Sequence, residues 1–187
     1  MTYFASPISQ RLWAFWPVLE NFLCTTAWGT EYTENIIVPL DNCICRATDV
    51  FCTSTAPNYR ESVFRMVKHC FNLGPNNPDD GSCYAEVEFK PITKLLDIVL
   101  LNCRGRVDEW VWPYLEVCMN RITTAKDPGF ATLLMNVVAA ALLYNAELTL
   151  QALESNGRTT QVSIGLSILL QWLWVRFAVQ AVLVGVH

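Results

Sequence analysis

Histidine and charged residues are scarce in this sequence. Its 187 residues contain two histidines, and Asp, Glu, Lys and Arg together make up 16%. The two histidines lie far apart, at His69 and at the terminal His187. No Gly-rich phosphate loop, G-x-S-x-G turn, H-E-x-x-H motif or EF-hand loop occurs. We therefore predict no enzyme, no metal site and no cofactor.

Basic residues are also scarce, since acidic residues outnumber them. The net charge is −4 and the isoelectric point is about 5.1, which argues against a nucleic-acid partner, because such partners require a basic surface. The first residues, Met1 to Phe4, lack the basic region and cleavage pattern of a secretory signal peptide. We therefore interpret the eight cysteines as reduced thiols packed on apolar helix faces.

Apolar residues, in contrast, are abundant. They account for 52% of the chain, which excludes general disorder, and the mean hydropathy of +0.26 is high for a free soluble domain. A segment of a longer helical array would have apolar ends and would fit this value. The length allows one compact domain, or about four repeats of the 40–47 residues typical of HEAT proteins.

The apolar residues recur at helical spacing, most clearly over residues 94–154. Three- and four-residue steps mark two helices that are separated by Asp127-Pro128-Gly129. The members of these stripes are Val107, Val111, Tyr114, Leu115, Cys118 and Ile122, then Phe130, Leu134, Val137, Ala141 and Tyr144. Successive helices with short turns and no strand between them predict an α-solenoid or bundle.

Helices are also predicted in the first half of the chain. We expect one over residues 9–24 with a kink at Pro17, and one over residues 31–52. A third starts after Asn58, where Asn58 and Glu61 have capping-box spacing. A polar loop over residues 74–81 follows, and then a fourth helix over residues 84–102 with a kink at Pro91.

Several segments resemble the C-terminal half of import receptors of the importin seven/eight type, in the importin-β (karyopherin-β) superfamily. They appear in the family's order from about residue 7 to residue 154. The matching segments are Ile8-Ser9-Gln10-x-x-Trp13, Val38-Pro39-Leu40-Asp41-Asn42, Ala47-Thr48-Asp49, Leu95 to Ile98, Cys103 to Arg106, Ala141 to Asn145 and Leu150 to Glu154. The resemblance implies an all-α HEAT-repeat-like solenoid of stacked antiparallel helix pairs over residues 1–156.

Residues 157–187 depart from the family. Between Val162 and the end, Arg176 is the one charged residue. Three interpretations stay open: a transmembrane tail, a buried terminal helix, or a tail that is not a native repeat because the reading frame departs there. A span needs about 20 apolar residues, which this segment has, but Arg176 near its middle is unfavourable there.

The resemblance implies a binding protein that shuttles between nucleus and cytoplasm. It implies basic protein cargo such as ribosomal proteins or histones, nucleoporins, and Ran GTPase bound through the whole receptor. The acidic residues Asp41, Asp49, Glu109 and Glu116 are candidates to face such a cargo. The alternative function is a tail-anchored membrane protein with a helical cytosolic domain, in which the membrane is a partner only if the tail is a real anchor.

Overall fold

All regular elements in the part of the chain that the computed structural model describes are helical. These described residues are 8–26, 29–73 and 86–160. The helices are α1 Gln10–Trp13, α2 Trp16–Thr25, α3 Thr33–Arg46, α4 Thr48–Thr53, α5 Tyr59–Asn72, α6 Glu86–Phe89, α7 Ile92–Asn102, α8 Asp108–Ile122, α9 Pro128–Tyr144 and α10 Ala146–Ser155. A 3₁₀ turn, Thr30–Tyr32, precedes α3.

The long helices form two layers. In the first layer α2, α5, α8 and α10 pack side by side in that order, and in the second layer α3, α7 and α9 do the same. Helix α8 runs antiparallel to its partner α9, since the amide of Val107 before α8 donates to the Tyr144 hydroxyl at the end of α9, at 3.0 Å. The arrangement confirms the predicted all-α, HEAT-like solenoid.

Helices of the first layer run parallel to one another. The Trp16 indole N–H at the start of α2 donates to Ser62 Oγ in the first turn of α5, at 2.7 Å. One turn further along both helices, Arg65 Nε donates to Glu20 Oε1 at 2.8 Å. Because the second contact lies about one turn beyond the first on both helices, α2 and α5 run in the same direction. This is expected for equivalent helices of successive repeats.

One continuous core lies between the two layers. The predicted stripes of α8 and α9 are buried, except that Ile122 is half-buried at the rim of the core. The stripe residues that are less than about 5% exposed include the large side chains of Tyr114, Phe130 and Leu134. Burying each such side chain is worth about 1.5–3 kcal/mol, so this layer-to-layer contact is the main stabilising term of the fold.

Three predicted helices are each divided in two. The helix expected over residues 9–24 breaks at Ala14 and Phe15, because Pro17 lacks an N–H and takes the second position of a new helix. The one expected over residues 31–52 breaks at Ala47 (φ −140°, ψ 47°), where α4 leads the chain from the second layer to the first. The break between α6 and α7 falls at Lys90 and Pro91.

Asn58 and Gly105 lie at helix ends. The Asn58 side chain accepts a hydrogen bond from the Glu61 amide at 3.3 Å, as the capping spacing predicts. Gly105 follows α7 with φ +71°, a left-handed conformation that favours glycine. The predicted loop at 74–81, the start of the helix expected from residue 84, and the apolar tail from residue 161 onward lie outside the described residues.

The apolar face of the first helical segment, residues 9–24, is only half-buried. Trp16 and Leu23 enter the core, but Leu12, Phe15 and Phe22 are 36–59% exposed. Val50 is also exposed, on the short helix α4. Leu12 and Phe15 line the walls of a groove between α2 and α3, and the Phe22 ring lies 6.1 Å from the Tyr32 ring, centre to centre.

Candidate protein-interaction surfaces

Glu109 contributes to a polar junction between α5 and α8. Its carboxylate oxygen Oε1 lies 3.2 Å from Arg60 Nη1 and also accepts the Trp110 indole N–H at 3.0 Å. The Tyr114 hydroxyl donates to the backbone carbonyl of Arg60 at 3.0 Å, so one arginine is held from two sides. The Glu109 carboxylate therefore has a cationic partner within the chain, and its side chain is 67% exposed.

Asp49 is paired in the same way. Its carboxylate accepts a hydrogen bond from Arg106 Nη1 at 2.6 Å, across 57 residues of sequence, and this bond holds the pKa of the Arg106 guanidinium above its usual value. The pair is solvent-exposed on the Asp49 side, so its contribution to stability is small. Like Glu109, Asp49 already has a cationic partner.

Asp41 lies on a different surface, in the middle of α3 in the second layer. It is half-buried and accepts a hydrogen bond from the Cys45 thiol, one turn along the same helix, at 2.9 Å. Among the described residues no Lys or Arg forms an ion pair with Asp41. Its negative charge therefore remains available to a partner that contacts the second layer.

Glu116 is exposed on α8, two turns beyond Glu109, and borders a groove between α5 and α8. The groove encloses about 370 Å³. Phe64 and Phe71 contribute apolar surface, Asn120 adds a polar rim, and Lys68 Nζ stands 5.6 Å from the centre of the Phe64 ring. Glu116 makes no ion pair within the described chain, and the groove that it borders is also lined by the cationic residues Lys68 and Arg121.

A second groove, of about 420 Å³, is almost wholly apolar. It lies between α2 and α3, and Leu12, Phe15, Leu19 and Pro39 contribute to its walls. No candidate acidic residue borders it. The four candidate acids therefore divide into two groups: Asp49, Glu109 and Glu116 near the first layer, and Asp41 alone on the second.

A buried carboxylate fixes the turn between α8 and α9. Glu86 accepts from Arg121 Nη2 at 3.0 Å and from the backbone amides of Lys126 and Asp127 at 2.8–3.2 Å. Glu86 and Arg121 are both 8% exposed. A charge this deeply buried is tolerated because several donors surround it, so Glu86 has a structural role rather than a binding role.

The thiols have the surroundings of packing residues. Within the described chain seven cysteines are free, and Cys43, Cys52, Cys70, Cys103 and Cys118 are buried. Burial, followed by the charge of Glu20, raises the pKa of Cys24 to about 11, so this thiol is protonated at neutral pH. The part of the chain that the structure describes contains no group of three or more His, Cys, Asp or Glu able to hold a metal.

None of the helices in the described ranges is long and apolar enough to cross a bilayer.

The cationic partners of the acidic residues were missed by sequence reasoning. Arg60 and Arg106 meet Glu109 and Asp49 across 49 and 57 residues. A signal for the first contact does exist: a separation of 45–49 residues also joins Trp16 to Ser62 and Glu20 to Arg65. Residues one repeat apart occupy neighbouring places in the first layer, so a pairing search at that spacing would have found Arg60.

Two layers of helices, in which the main contacts within each layer join neighbouring helices, define the class of α-solenoid binding scaffolds. The groove that Glu116 borders and the Arg60–Glu109 pair both lie between α5 and α8, which are equivalent helices of successive repeats. Comparison with known proteins gives the family: the chain belongs to the importin-β superfamily, in its importin seven/eight branch.

The similarity extends over most of the chain. An importin beta-like SAD2 homolog of Arabidopsis thaliana is 35% identical over 162 residues, which is 87% of this chain and 15% of the relative. A probable importin-7 homolog of Dictyostelium discoideum is 26% identical over 83% of the chain, and importin-8 of Danio rerio is 28% identical over 79%. These shares are 14% and 13% of the two relatives.

The chain thus spans about one seventh of the length of the curated relatives that it matches. No family model and no solved structure matches it. The relatives are named as importins, which are transport receptors, and nothing in the comparisons supports an enzyme.

Proposed function

We propose that this chain is part of a nuclear import receptor, which binds protein cargo and shuttles between cytoplasm and nucleus through nuclear pores. The observation that carries the proposal is the 35% identity to an importin beta-like protein over 162 residues. The layered helical array supports it, because stacked repeats provide long surfaces for protein partners.

The cargo is a basic protein, of the kind that ribosomal proteins and histones represent. Asp41 and Glu116 are the carboxylates that contact it, since neither forms an ion pair with a Lys or Arg of the described chain. Asp49 and Glu109 contribute less, because Arg106 and Arg60 already balance them at 2.6 and 3.2 Å. Charges on such a surface steer a basic partner over about 8 Å at physiological salt.

Ran and nucleoporins are partners of the whole receptor. The chain corresponds to about one seventh of its relatives, so it supplies only part of the surfaces that a complete transport cycle uses. We expect the chain by itself to bind GTP-loaded Ran far more weakly than a full receptor does. Tight, salt-insensitive binding of GTP-loaded Ran to this chain would contradict that assignment.

The cargo proposal is tested by titrating the 187-residue chain with fluorescent core histones and following anisotropy at two salt concentrations. Glu116→Lys should weaken binding about fivefold or more at low salt, and the difference should shrink as salt screens the charges. Glu34→Lys, at an exposed position on α3, changes the net charge equally and is the matched control. Equal effects of the two variants would argue against a cargo contact at Glu116.

A further inference from the structure

Two of the buried thiols lie next to each other. Cys52 is on the short helix α4, and Cys103 directly follows the last residue of α7. Cys52 is 6% exposed, and Cys103 is fully buried. Burial, followed by the charge of Cys52 and a hydrogen bond between the two thiols, raises the pKa of Cys103 above its usual value. A disulfide forms only between side chains that approach each other this closely.

An ion pair beside the thiols joins the same two segments of the chain. Arg106 Nη1 donates to Asp49 Oδ1 at 2.6 Å. Asp49 and Cys52 are three residues apart on α4 and therefore lie on one side of that helix. Cys103 and Arg106 belong to one turn, which the Arg106 amide closes by donating to the Cys103 carbonyl at 3.0 Å. The ion pair and the thiol pair are thus two neighbouring contacts between α4 and the turn after α7.

Arg106 also acts on the sulfur atoms. It lies close enough to both thiols for their charges to interact with its own. Its positive charge lowers the Cys103 pKa, but burial raises that pKa more, so the thiol stays protonated while the site is closed. The Asp49 side chain is 91% exposed and the Arg106 side chain 35%, so the ion pair adds little resistance to local opening. Opening admits water and reduces the effect of burial on the thiols.

The more accessible thiols are protonated as well. Cys45 is exposed, yet burial of its sulfur, followed by a hydrogen bond with Asp41, raises its pKa to about 12. Cys24 is half-buried and has a pKa of about 11. Exposure by itself therefore gives neither thiol much thiolate at neutral pH. The proximity of a second sulfur is then what favours disulfide formation at Cys52 and Cys103.

We propose that Cys52 and Cys103 are an oxidation site, which a hydroperoxide converts into a disulfide when α4 separates from the turn after α7. The Cys52 thiolate attacks one peroxide oxygen, the O–O bond breaks, and the departing hydroxide takes up the proton that Cys52 released, which gives water. The Cys103 sulfur then attacks the sulfur of the Cys52 sulfenic acid, the S–O bond breaks, and a second water leaves with the Cys103 proton. Two electrons pass from the sulfurs to the peroxide.

The disulfide joins two equivalent crossings between the layers. Helix α4 leads from the second layer to the first, and the turn that begins at Cys103 does so one repeat later. The bond closes a ring of about 50 residues, which restricts the unfolded chain and so stabilises the folded one. The ring contains α5 and α7, so oxidation ties these two helices into one covalent unit. This site goes beyond the transport function and does not depend on it.

The experiment uses the full 187-residue chain, first reduced and then treated with hydrogen peroxide. Remaining thiols are blocked with N-ethylmaleimide, and the digested chain is analysed by mass spectrometry without reduction. We expect a peptide pair joined through Cys52 and Cys103, and a melting temperature raised by roughly 5–10 °C until dithiothreitol reverses the change. Cys103→Ser should abolish this rise, whereas Cys45→Ser, at an exposed thiol, should retain it.

The rate of cross-linking tests the opening step. Asp49→Asn weakens the ion pair and should speed disulfide formation about twofold or more. Glu34→Gln, at an exposed position on α3, removes the same charge and should leave the rate unchanged. Peptide mapping of the unmodified chain decides the site even if Cys103→Ser does not fold. An unchanged rate in Asp49→Asn, a disulfide between other thiols, or a reduced Cys52 and Cys103 after the more accessible thiols are oxidised would overturn the proposal.

Discussion

Asp97 is a buried carboxylate that should destabilise the folded chain at neutral pH. It lies on α7, half-buried against the core, and its Oδ1 atom is buried without a hydrogen-bond partner. Burial raises the pKa of Asp97 from 3.8 to about 6. Cys118 on α8 stands close enough that the Asp97 charge contributes to raising the thiol pKa, although burial contributes most.

The sign of the effect follows from linkage between protonation and folding. Because the folded-state pKa lies above the unfolded value, the stability tied to this group is present below about pH 4 and is lost as pH rises through 6. The difference between these two pKa values corresponds to roughly 3 kcal/mol. Since part of the carboxyl reaches solvent, we expect about 1–2 kcal/mol of that penalty to be realised.

Asp97→Asn should therefore stabilise the chain by about 1–2 kcal/mol at pH 7.5, because the amide has a similar shape and no charge. At pH 4 the gain should nearly disappear. Urea denaturation at both pH values measures it, with Glu34→Gln, at an exposed position, as the control that should show no gain. A destabilised Asp97→Asn protein at pH 7.5, or an equal gain at both pH values, would refute this reasoning.

Three further substitutions test the packing. Leu134→Asp should unfold the chain because it buries an unpaired charge, whereas Asn35→Asp, at an exposed position, should leave circular dichroism and melting temperature unchanged. Glu86→Ala should cost about 3 kcal/mol in urea denaturation, since three donors lose their acceptor; a loss below 1 kcal/mol would contradict its structural role. Ser62→Ala should cost about 1–2 kcal/mol by removing the acceptor of a buried indole.

Sequence periodicity predicted the buried faces of α8 and α9 correctly. It was less reliable for the first helical segment and for α4. Val111, Leu134 and Tyr144 are buried as their spacing requires, because α8 and α9 have neighbours on the predicted side. Phe15 and Val50 have the same apolar character but are exposed. Periodicity identifies the apolar side of a helix, but it does not reveal whether another helix covers that side.

The helix breaks and the charge pairs needed three-dimensional information. Pro17 and Pro91 were expected to bend helices, and each instead starts a new one, which local sequence cannot distinguish from a kink. The sequence identifies the four candidate acids only as carboxylates spread along helices. Whether each is neutralised depends on the stacking of repeats, and that stacking separates Asp49 and Glu109, which have arginine partners, from Asp41 and Glu116.

The polar bonds of the first layer connect each repeat to the next, so a pulling force passes through the junctions between repeats one after another. Trp16 to Ser62, Arg60 to Glu109 and Arg158 to Asn120 each join one repeat to the next, and none spans two junctions. A force applied at the ends therefore loads every junction equally and breaks the weakest first. Extension in an optical trap should proceed in steps, each releasing about 45 residues, or roughly 150 Å of chain.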